Sequence, residues 1–133
     1  MLEVGTGSGY QAAVLASLVH AVHSIEIIAP LADTAEQRLR RTGHTNVTVH
    51  RGDGYYGVPE AAPFDGIMVT AAAAGIPPPL LGQLRPGGRM VIPVGSSFTL
   101  QHLVLVEKLP DGLVRTRQML PVRFVPLVRG GGR

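Results

Sequence analysis

The sequence predicts an α/β fold in which a mostly parallel sheet ends in an antiparallel hairpin. Short β-branched apolar runs alternate with helical patterns over the first two thirds of the 133 residues. A glycine-rich turn follows the first run directly, and two alternating runs near the end flank the turn Pro110-Asp111-Gly112. Strands joined by helices pair in parallel through right-handed crossovers, so their carboxyl ends share one edge of the sheet. We expect a ligand at that edge, where the strand order reverses.

The elements of the first half follow from local patterns. Ala12, Leu15 and Val19 recur at helical spacing after the glycine turn. Pro30 suits the first turn of a second helix, and Gly43 suits the end of that helix. The predicted order is a strand at 2–4, a helix at 8–19, a strand at 22–28, a helix at 31–41 and a strand at 46–50.

The elements of the second half are set by prolines and glycines. Residues 77–79 are three prolines, which cannot continue a strand but can begin a short helix. Residues 86–88, Pro-Gly-Gly, predict a turn before the next strand. The predicted order is a strand at 64–70, a helix at 80–84, a strand at 90–94 and hairpin strands at 100–108 and 113–120. We expect one domain at 1–128 and a disordered, glycine-rich tail at 129–133.

The composition narrows the class of protein. The chain has no cysteine, which excludes disulfides, thiolate metal sites and cysteine nucleophiles. Its histidines are scattered without partner spacing, so we predict neither a metal site nor a catalytic residue. No basic run carries interleaved aromatic residues, and no apolar run is long enough to span a bilayer. Neither nucleic acid nor a membrane is therefore expected as a partner, and a cytoplasmic location is the default expectation.

The glycine turn is the first candidate ligand-binding motif. Gly5, Gly7 and Gly9 let backbone N–H groups come close to a ligand, and Thr6 and Ser8 belong to the same turn. The dinucleotide fingerprint needs its third glycine one position later, where Tyr10 stands. The spacing therefore argues against an NAD-dependent oxidoreductase.

Two acids at the ends of the next two strands form the second part of the pattern. Glu26 ends the second strand, where a carboxylate can accept hydrogen bonds from both hydroxyls of an adenosine ribose. The alternative for Glu26 is a solvated side chain at a strand end. Asp53, followed by Gly54, ends the third strand, where its carboxylate would lie near the adenine edge. The alternative for Asp53 is a simple Asx turn.

Glu3 and Thr70 complete the candidate site. Glu3 either orients a methionyl ammonium group, directly or through water, or caps the backbone amides of the glycine turn. Thr70 either lines the pocket at the end of the fourth strand or satisfies backbone groups there. A turn for the methionyl part and two acids for the ribose and adenine together predict an S-adenosylmethionine pocket. The predicted cofactor-binding residues are Glu3, Gly5, Thr6, Gly7, Ser8, Gly9, Glu26, Asp53, Gly54 and Thr70.

These motifs closely resemble those of the protein-L-isoaspartate O-methyltransferase family, from residue 2 to about residue 127. The resemblance covers the glycine motif at 3–10, the ribose-side acid at 24–26 and the adenine-side motif at 52–55. Thr-Ala-Ala-Ala at 70–73 and Val-Arg-Phe-Val-Pro-Leu at 122–127 are more specific than the glycine turn. The resemblance implies a Rossmann-like class I methyltransferase sheet. It also implies methyl transfer from S-adenosylmethionine to the carboxylate of isoaspartyl residues in damaged proteins, a protein-repair reaction. That carboxylate is already ionised near neutral pH, so no general base is required.

The sequence departs from the family at its start. Family members carry a segment before the glycine motif that packs over the cofactor and helps to bind the isoaspartyl carboxylate. Here Met1 and Leu2 alone precede Glu3. We expect the chain alone to keep a cofactor pocket but to show weak or no methyltransferase activity, because an open pocket loses orientation. Two alternatives stay open: a non-catalytic or partner-completed S-adenosylmethionine-binding fragment, and a related carboxylate methyltransferase with another peptide substrate.

Overall fold

The computed structural model describes residues 1–7, 9–95, 100–122 and 124–130, and of Tyr10 the backbone alone. The strands are β1 (Leu2–Val4), β2 (Val22–Glu26), β3 (Val47–Arg51), β4 (Phe64–Val69), β5 (Leu84–Val94), β6 (Gln101–Lys108) and β7 (Val114–Val122). The α-helices are α1 (Tyr10–Ala16), α2 (Ala29–Arg41) and α3 (Pro78–Gln83). Short 3-10 helices lie at Gly54–Tyr56 and Pro59–Ala61.

The described strands form one sheet in the order β3-β2-β1-β4-β5-β6-β7. Strands β1 to β5 pair in parallel, whereas β6 and β7 are antiparallel additions at one side. The chain leaves β1 toward β2 and β3 on one side and toward β4 and β5 on the other. The strand order therefore reverses at β1, which is the point where open parallel sheets bind ligands. The predicted Rossmann-like α/β class and the antiparallel hairpin are both confirmed.

Helix α1 is shorter than the predicted helix at 8–19. It ends at Ala16, and the N–H groups of Ser17 and Leu18 donate to carbonyls three residues back. The side-chain amide of Asn46, which precedes β3, donates to the carbonyls of Ala16 and Val19 at 2.8 and 3.2 Å. These carbonyls thus find a donor outside the helix, which local spacing does not reveal.

The turn predicted at 86–88 does not mark the start of a strand, because β5 already begins at Leu84. Leu84 pairs with Phe64, and Arg89 then pairs with Gly66, so β5 carries extra residues opposite β4. Gly87 has a φ of +88°, a left-handed conformation that glycine adopts without steric cost. The Pro-Gly-Gly segment therefore forms an irregularity inside the strand.

The main core lies around the central strands and fixes the edge where the strand ends meet. Leu2 and Val4 of β1 are buried beside Ile67 of β4 and Ile92 of β5. A second cluster packs α1 and α2 against β3, through Ala12, Ala32, Leu39 and Val49. Burial of a Leu, Ile or Val side chain contributes about 1.5–3 kcal/mol, so this packing holds the first strands in fixed register.

The C-terminal end of the described chain is also tied into the fold. Arg129 and Gly130, which the sequence assigns to a disordered tail, both donate hydrogen bonds to Asp53. Residues 131–133 of that tail lie outside the described residues, and the domain bounds 1–128 stay a prediction. Within the described chain, no helix combines the length and apolar character that a membrane crossing requires.

Candidate functional site

A cavity of about 280 Å³ opens at the carboxyl ends of β1, β2 and β4. Five predicted site residues line it: Gly5, Gly7, Glu26, Gly54 and Thr70. The predicted residues Glu3, Thr6, Gly9 and Asp53 are not part of its lining. Ser8 lies outside the described residues. The structure therefore gathers half of the predicted set around one space.

The glycine turn after β1 takes a conformation that favours glycine. Gly5 has a φ of +97°, and a Cβ atom there would stand 2.5 Å from the Thr70 hydroxyl oxygen. Gly7 has a φ of +54°, and a Cβ atom there would meet nothing within 4 Å. Gly5 is thus required by close packing, whereas Gly7 leaves open space at the cavity.

Glu26 presents a carboxylate to the cavity from the end of β2. Its Oε1 atom accepts a hydrogen bond from the Gly7 N–H at 2.9 Å, and its Oε2 atom accepts one from the Ile28 N–H at 3.2 Å. The residue is only 8% exposed, so the chain holds the group in one place. Each carboxylate oxygen has a second lone pair, which leaves acceptor capacity for hydroxyl groups of a ligand.

Glu3 is fully buried and does not line the cavity. Its Oε1 atom accepts a hydrogen bond from the Ser24 hydroxyl at 2.6 Å, and the Ser24 hydroxyl is 2.6 Å from that of Thr6. Among the residues that the structure describes, the Oε2 atom has no hydrogen-bond partner. Burial raises the pKa of Glu3 to about 7; the Ser24 hydrogen bond opposes this shift, and the negative charge of Glu26 adds to it. The Glu3–Ser24–Thr6 chain links β1, β2 and the glycine turn.

Thr70 lies between the end of β1 and the cavity. Its hydroxyl lies 2.9 Å from the Val4 carbonyl and 3.0 Å from the Gly5 carbonyl, to which it donates. Thr70 also lines the cavity. Its hydroxyl is therefore engaged by the backbone at the end of β1, and its body forms part of the wall.

Asp53 is held on both oxygens by the protein itself. Its Oδ1 atom accepts a hydrogen bond from the Tyr55 N–H at 3.0 Å, as in the Asx-turn alternative. Its Oδ2 atom accepts from the Arg129 Nε at 3.1 Å and from the Gly130 N–H at 2.9 Å. Burial alone would raise the pKa of Asp53, but the hydrogen bonds from Gly130, Tyr55 and Arg129 together hold the pKa below its ordinary value. The group is thus an ionised, nearly buried anion with three donors.

Gly54 brings the segment after β3 into contact with β1. A Cβ atom at Gly54 would stand 2.4 Å from Cγ1 of Val4, which is a buried strand residue. No side chain fits there without displacement of β1. The glycine next to Asp53 therefore has a packing reason as well as a place on the cavity wall.

Sequence reasoning recognised residues 122–127 as a family motif but did not place them at the cavity. Residues 125–128 line the cavity, and we call residues 124–130 the strap. Its Val125 carbonyl accepts from the Ala72 N–H, and its Leu127 N–H donates to the Ala72 carbonyl, each at 2.8 Å. The side chain of buried Gln101 binds both backbone groups of Phe124, accepting at 2.6 Å and donating at 3.1 Å. The apolar residues of the strap, after the hairpin, were a sequence signal for this segment. Its location, however, depends on these long-range hydrogen bonds.

Apolar residues after β2 were also missed as cavity residues. Ile27, Ile28 and Leu31 line the cavity with Ile25. The sequence placed Ile27 and Ile28 in a strand, whereas β2 ends at Glu26 and releases them to the cavity. They give the site an apolar wall beside the Glu26 carboxylate.

A second cavity of about 540 Å³ lies on the other side of the strap. It is lined by residues 72–78 together with Tyr55, Gly95 and Arg129. Pro126 and Leu127 of the strap line both cavities. The strap is therefore a shared wall between two spaces at the same edge of the sheet.

The histidines do not all stand alone, contrary to the sequence-based expectation. Nδ1 of His23 lies 3.0 Å from Nε2 of His50, across the β2–β3 pair. Burial lowers the pKa of His23, and the neighbouring His50 lowers it further. Within the described part of the chain, no group of three or more histidine or acidic side chains is arranged to hold a metal ion.

Comparison with known proteins gives a consistent set of relatives. A family profile described as Protein-L-isoaspartate(D-aspartate) O-methyltransferase (PCMT) matches residues 1–132. A Protein-L-isoaspartate O-methyltransferase 2 of Syntrophobacter fumaroxidans is 66% identical over 98% of this chain and 53% of its own length. A Protein-L-isoaspartate O-methyltransferase 1 of Nitrosospira multiformis is 64% identical over 98% of this chain and 55% of its own length. The chain thus spans about half the length of the curated relatives it matches.

Solved structures share the fold. A protein-L-isoaspartate O-methyltransferase structure superposes with a TM-score of 0.89 at 36% identity, over 98% of this chain and 41% of that one. A Plasmodium falciparum structure, named as a protein of the same type in complex with S-adenosyl-L-homocysteine, gives a TM-score of 0.84 at 23% identity. That match covers 97% of this chain and 65% of the other.

Proposed function

Because the chain belongs to the protein-L-isoaspartate(D-aspartate) O-methyltransferase family, we propose that it binds S-adenosylmethionine in the 280 Å³ cavity. We propose further that it forms the cofactor half of an enzyme that methylates the carboxylate of isoaspartyl residues in damaged proteins. Isoaspartyl proteins and peptides are then its macromolecular partners, and the cytoplasm is its proposed place of action.

The Glu26 carboxylate at the cavity is the observation that carries this proposal. It stands at the end of β2, held by the Gly7 and Ile28 N–H groups, with lone pairs left for a vicinal diol. Ile25, Ile28 and Leu31 supply an apolar wall suited to a purine face. The open space at Gly7 leaves room for the methionyl part. These features fit an adenosyl ligand with a ribose at Glu26.

The remaining predicted residues receive supporting roles in this proposal. Gly5 and Gly9 let the turn pass close to Thr70 and to α2, and Thr6 is fixed by the Glu3–Ser24–Thr6 chain. Ser8 belongs to the same turn in sequence. Gly54 and Thr70 form parts of the wall. Asp53 is proposed to meet the adenine edge.

The chain contributes to the proposed reaction by positioning the two reactants. When bound, S-adenosylmethionine supplies a methyl group on a sulfonium, which is a strong electrophile. The acceptor carboxylate is ionised at neutral pH, so the chain has only to align two reactants and exclude water. We place the acceptor peptide in the 540 Å³ cavity, because Pro126 and Leu127 form its common wall with the first cavity.

A second candidate function follows from the extent of the match. The chain spans about half the length of its curated relatives. A chain that binds the cofactor but transfers no methyl group unless another polypeptide completes the substrate side is therefore the alternative. A related carboxylate methyltransferase with another peptide substrate would share the same cofactor residues.

A methyl-transfer assay separates these candidates. Radiolabelled S-adenosylmethionine is incubated with the chain and an isoaspartyl peptide, with the same peptide carrying ordinary aspartate as control. Label in the isoaspartyl peptide alone supports the proposed repair reaction. Binding of S-adenosyl-L-homocysteine without label transfer favours the partner-completed fragment. Transfer to both peptides, or to neither in a chain that does not bind the cofactor, contradicts the proposal.

A further inference from the structure

The Asp53 carboxylate is hydrogen-bonded to the end of the strap in this structure. The Oδ2 atom of Asp53 takes two donors from the end of the strap, the Arg129 Nε and the Gly130 N–H. The Asp53 side chain is only 2% exposed, whereas that of Arg129 is 40% exposed. A buried anion is thus covered by a partly exposed cation that belongs to a segment far away in sequence.

Arg129 is fixed by more than this ion pair. Its guanidinium carbon lies 3.8 Å from the centroid of the Tyr55 ring and 5.5 Å from that of Tyr56. Its Nη2 atom donates to the Tyr56 hydroxyl at 3.2 Å. A guanidinium stacked on one aromatic ring and bound to a carboxylate is a preorganised contact that lysine reproduces poorly.

The lining of the 280 Å³ cavity shows that the Asp53 carboxylate does not reach it. Residues 125–128 of the strap line the 280 Å³ cavity, but the Asp53 carboxylate does not. Gly54, the next residue, does reach the wall. A ligand in the cavity therefore lies beside Asp53 without access to its carboxylate while Arg129 and Gly130 remain in place.

We propose that Arg129 sets the affinity for the adenosyl ligand by competing with the adenine edge for the Asp53 carboxylate. This inference rests on the proposed function. Ligand binding releases the end of the strap from Asp53, and the N–H groups of the ligand replace those of Arg129 and Gly130. The bonds at Phe124 and Ala72 keep the rest of the strap in position.

Calorimetric titration with S-adenosyl-L-homocysteine tests the competition. Arg129→Gln removes the charge of a partly exposed ion pair and should bind the ligand about fivefold more tightly. Arg129→Lys keeps the charge but loses the stacked contact, and should fall between wild type and Arg129→Gln. Arg115→Gln, which removes a different exposed arginine paired with Glu107, should bind like wild type. Added salt should narrow the gap between wild type and Arg129→Gln.

Amide hydrogen exchange gives a second readout that a merely structural Arg129 would not change. In wild type, S-adenosyl-L-homocysteine should slow exchange at Gly7 and accelerate it at Gly130, whose N–H loses its acceptor. Unchanged or weaker binding by folded Arg129→Gln, or slower exchange at Gly130 on ligand addition, overturns the competition while leaving cofactor binding intact. Absence of binding by wild type and by every variant overturns the proposed function, and the competition with it.

Discussion

Glu26 and Asp53 lie near the carboxyl ends of adjacent parallel strands, yet they differ in what holds them. Glu26 is bound by N–H groups of the nearby turn and of Ile28, and it faces the cavity. Asp53 is bound in part by Arg129 and Gly130 at the far end of the described chain, and it is withdrawn from the cavity. Glu26 thus faces the cavity, whereas Asp53 fastens the end of the strap in this structure.

The difference shows that strand-end position alone does not decide the role of an acid. The donors around each carboxylate differ as well. Glu3, the third acid of this edge, is an extreme case, because among the described residues it has one hydroxyl donor and an Oε2 atom with no partner. Burial dominates there and raises the pKa of Glu3 to about 7, whereas three donors lower the pKa of Asp53.

The largest expected effect is a pH dependence that Glu3 imposes on stability. The unfolded chain releases this proton near the ordinary value of 4.5 and the folded chain near 7, so the folded state binds more protons in between. The Glu3 contribution is fully present below the unfolded pKa, is lost as pH rises toward 7, and amounts to roughly 3 kcal/mol. Urea unfolding of wild type and Glu3→Gln at about pH 5 and about pH 7.5 measures it.

The difference between wild type and Glu3→Gln isolates this acid, because Asp53 and His23 act with the opposite sign. The lowered pKa of each of those two groups favours the folded state as pH rises. We expect Glu3→Gln to gain stability relative to wild type as pH increases. A difference that is the same at both pH values contradicts the raised pKa.

The next effect is on ligand affinity at Glu26. Glu26→Gln removes a charged acceptor, and hydrogen bonds to charged groups contribute about 1.5–3 kcal/mol. S-adenosyl-L-homocysteine should therefore bind roughly 10- to 100-fold more weakly by calorimetry. The matched control is Glu36→Gln, which changes a partly exposed acid on α2 and should bind like wild type. Equal affinity of Glu26→Gln and wild type would show that the carboxylate at the cavity holds no ligand.

A smaller effect is expected where the strap is anchored. Gln101→Ala leaves the Phe124 N–H and carbonyl without the side chain that binds both, at a cost of about 1–3 kcal/mol for lost buried hydrogen bonds. Thermal unfolding should show the loss, and limited proteolysis should cut the strap faster. Gln118→Ala on the exposed strand β7 is the control. Equal thermal stability and equal cleavage rates of Gln101→Ala and Gln118→Ala would show that Gln101 does not anchor the strap.

The smallest effect is expected at Arg51, two residues before Asp53. Arg51 pairs with Asp33 and Glu36, but all three side chains are at least one third exposed. Arg51→Ala should lower the free energy of unfolding only slightly, because solvent screens such pairs. Unfolding in urea at low and high salt measures this. A loss as large as that of Gln101→Ala would mean that exposed pairs matter as much as the strap.

Local signals were enough for the sheet and for the cavity side of the site. The β-branched runs predicted the strands, and the glycine turn with Glu26 predicted which strand ends carry the cavity residues. Both features depend on residues that are close in sequence or on the rule that parallel strands align their carboxyl ends. That rule brings Gly7 and Glu26 together without knowledge of the rest of the chain.

Long-range contacts account for what the sequence did not predict. Asn46 ends α1 from a position near β3, Gln101 anchors Phe124, and Arg129 covers Asp53. Each joins residues from separate elements, and no periodicity or turn pattern in the sequence links them. The burial of Glu3 away from the cavity is of the same kind, because it depends on Ser24 of the neighbouring strand.

A crystal structure of this chain with S-adenosyl-L-homocysteine tests the central claim most directly. We expect the two ribose hydroxyls to donate to the Glu26 carboxylate. The base should lie against Ile28 and Leu31, and the amino acid part should lie beside Gly7. A well-folded chain with the nucleoside bound elsewhere, or with its ribose away from Glu26, would contradict it.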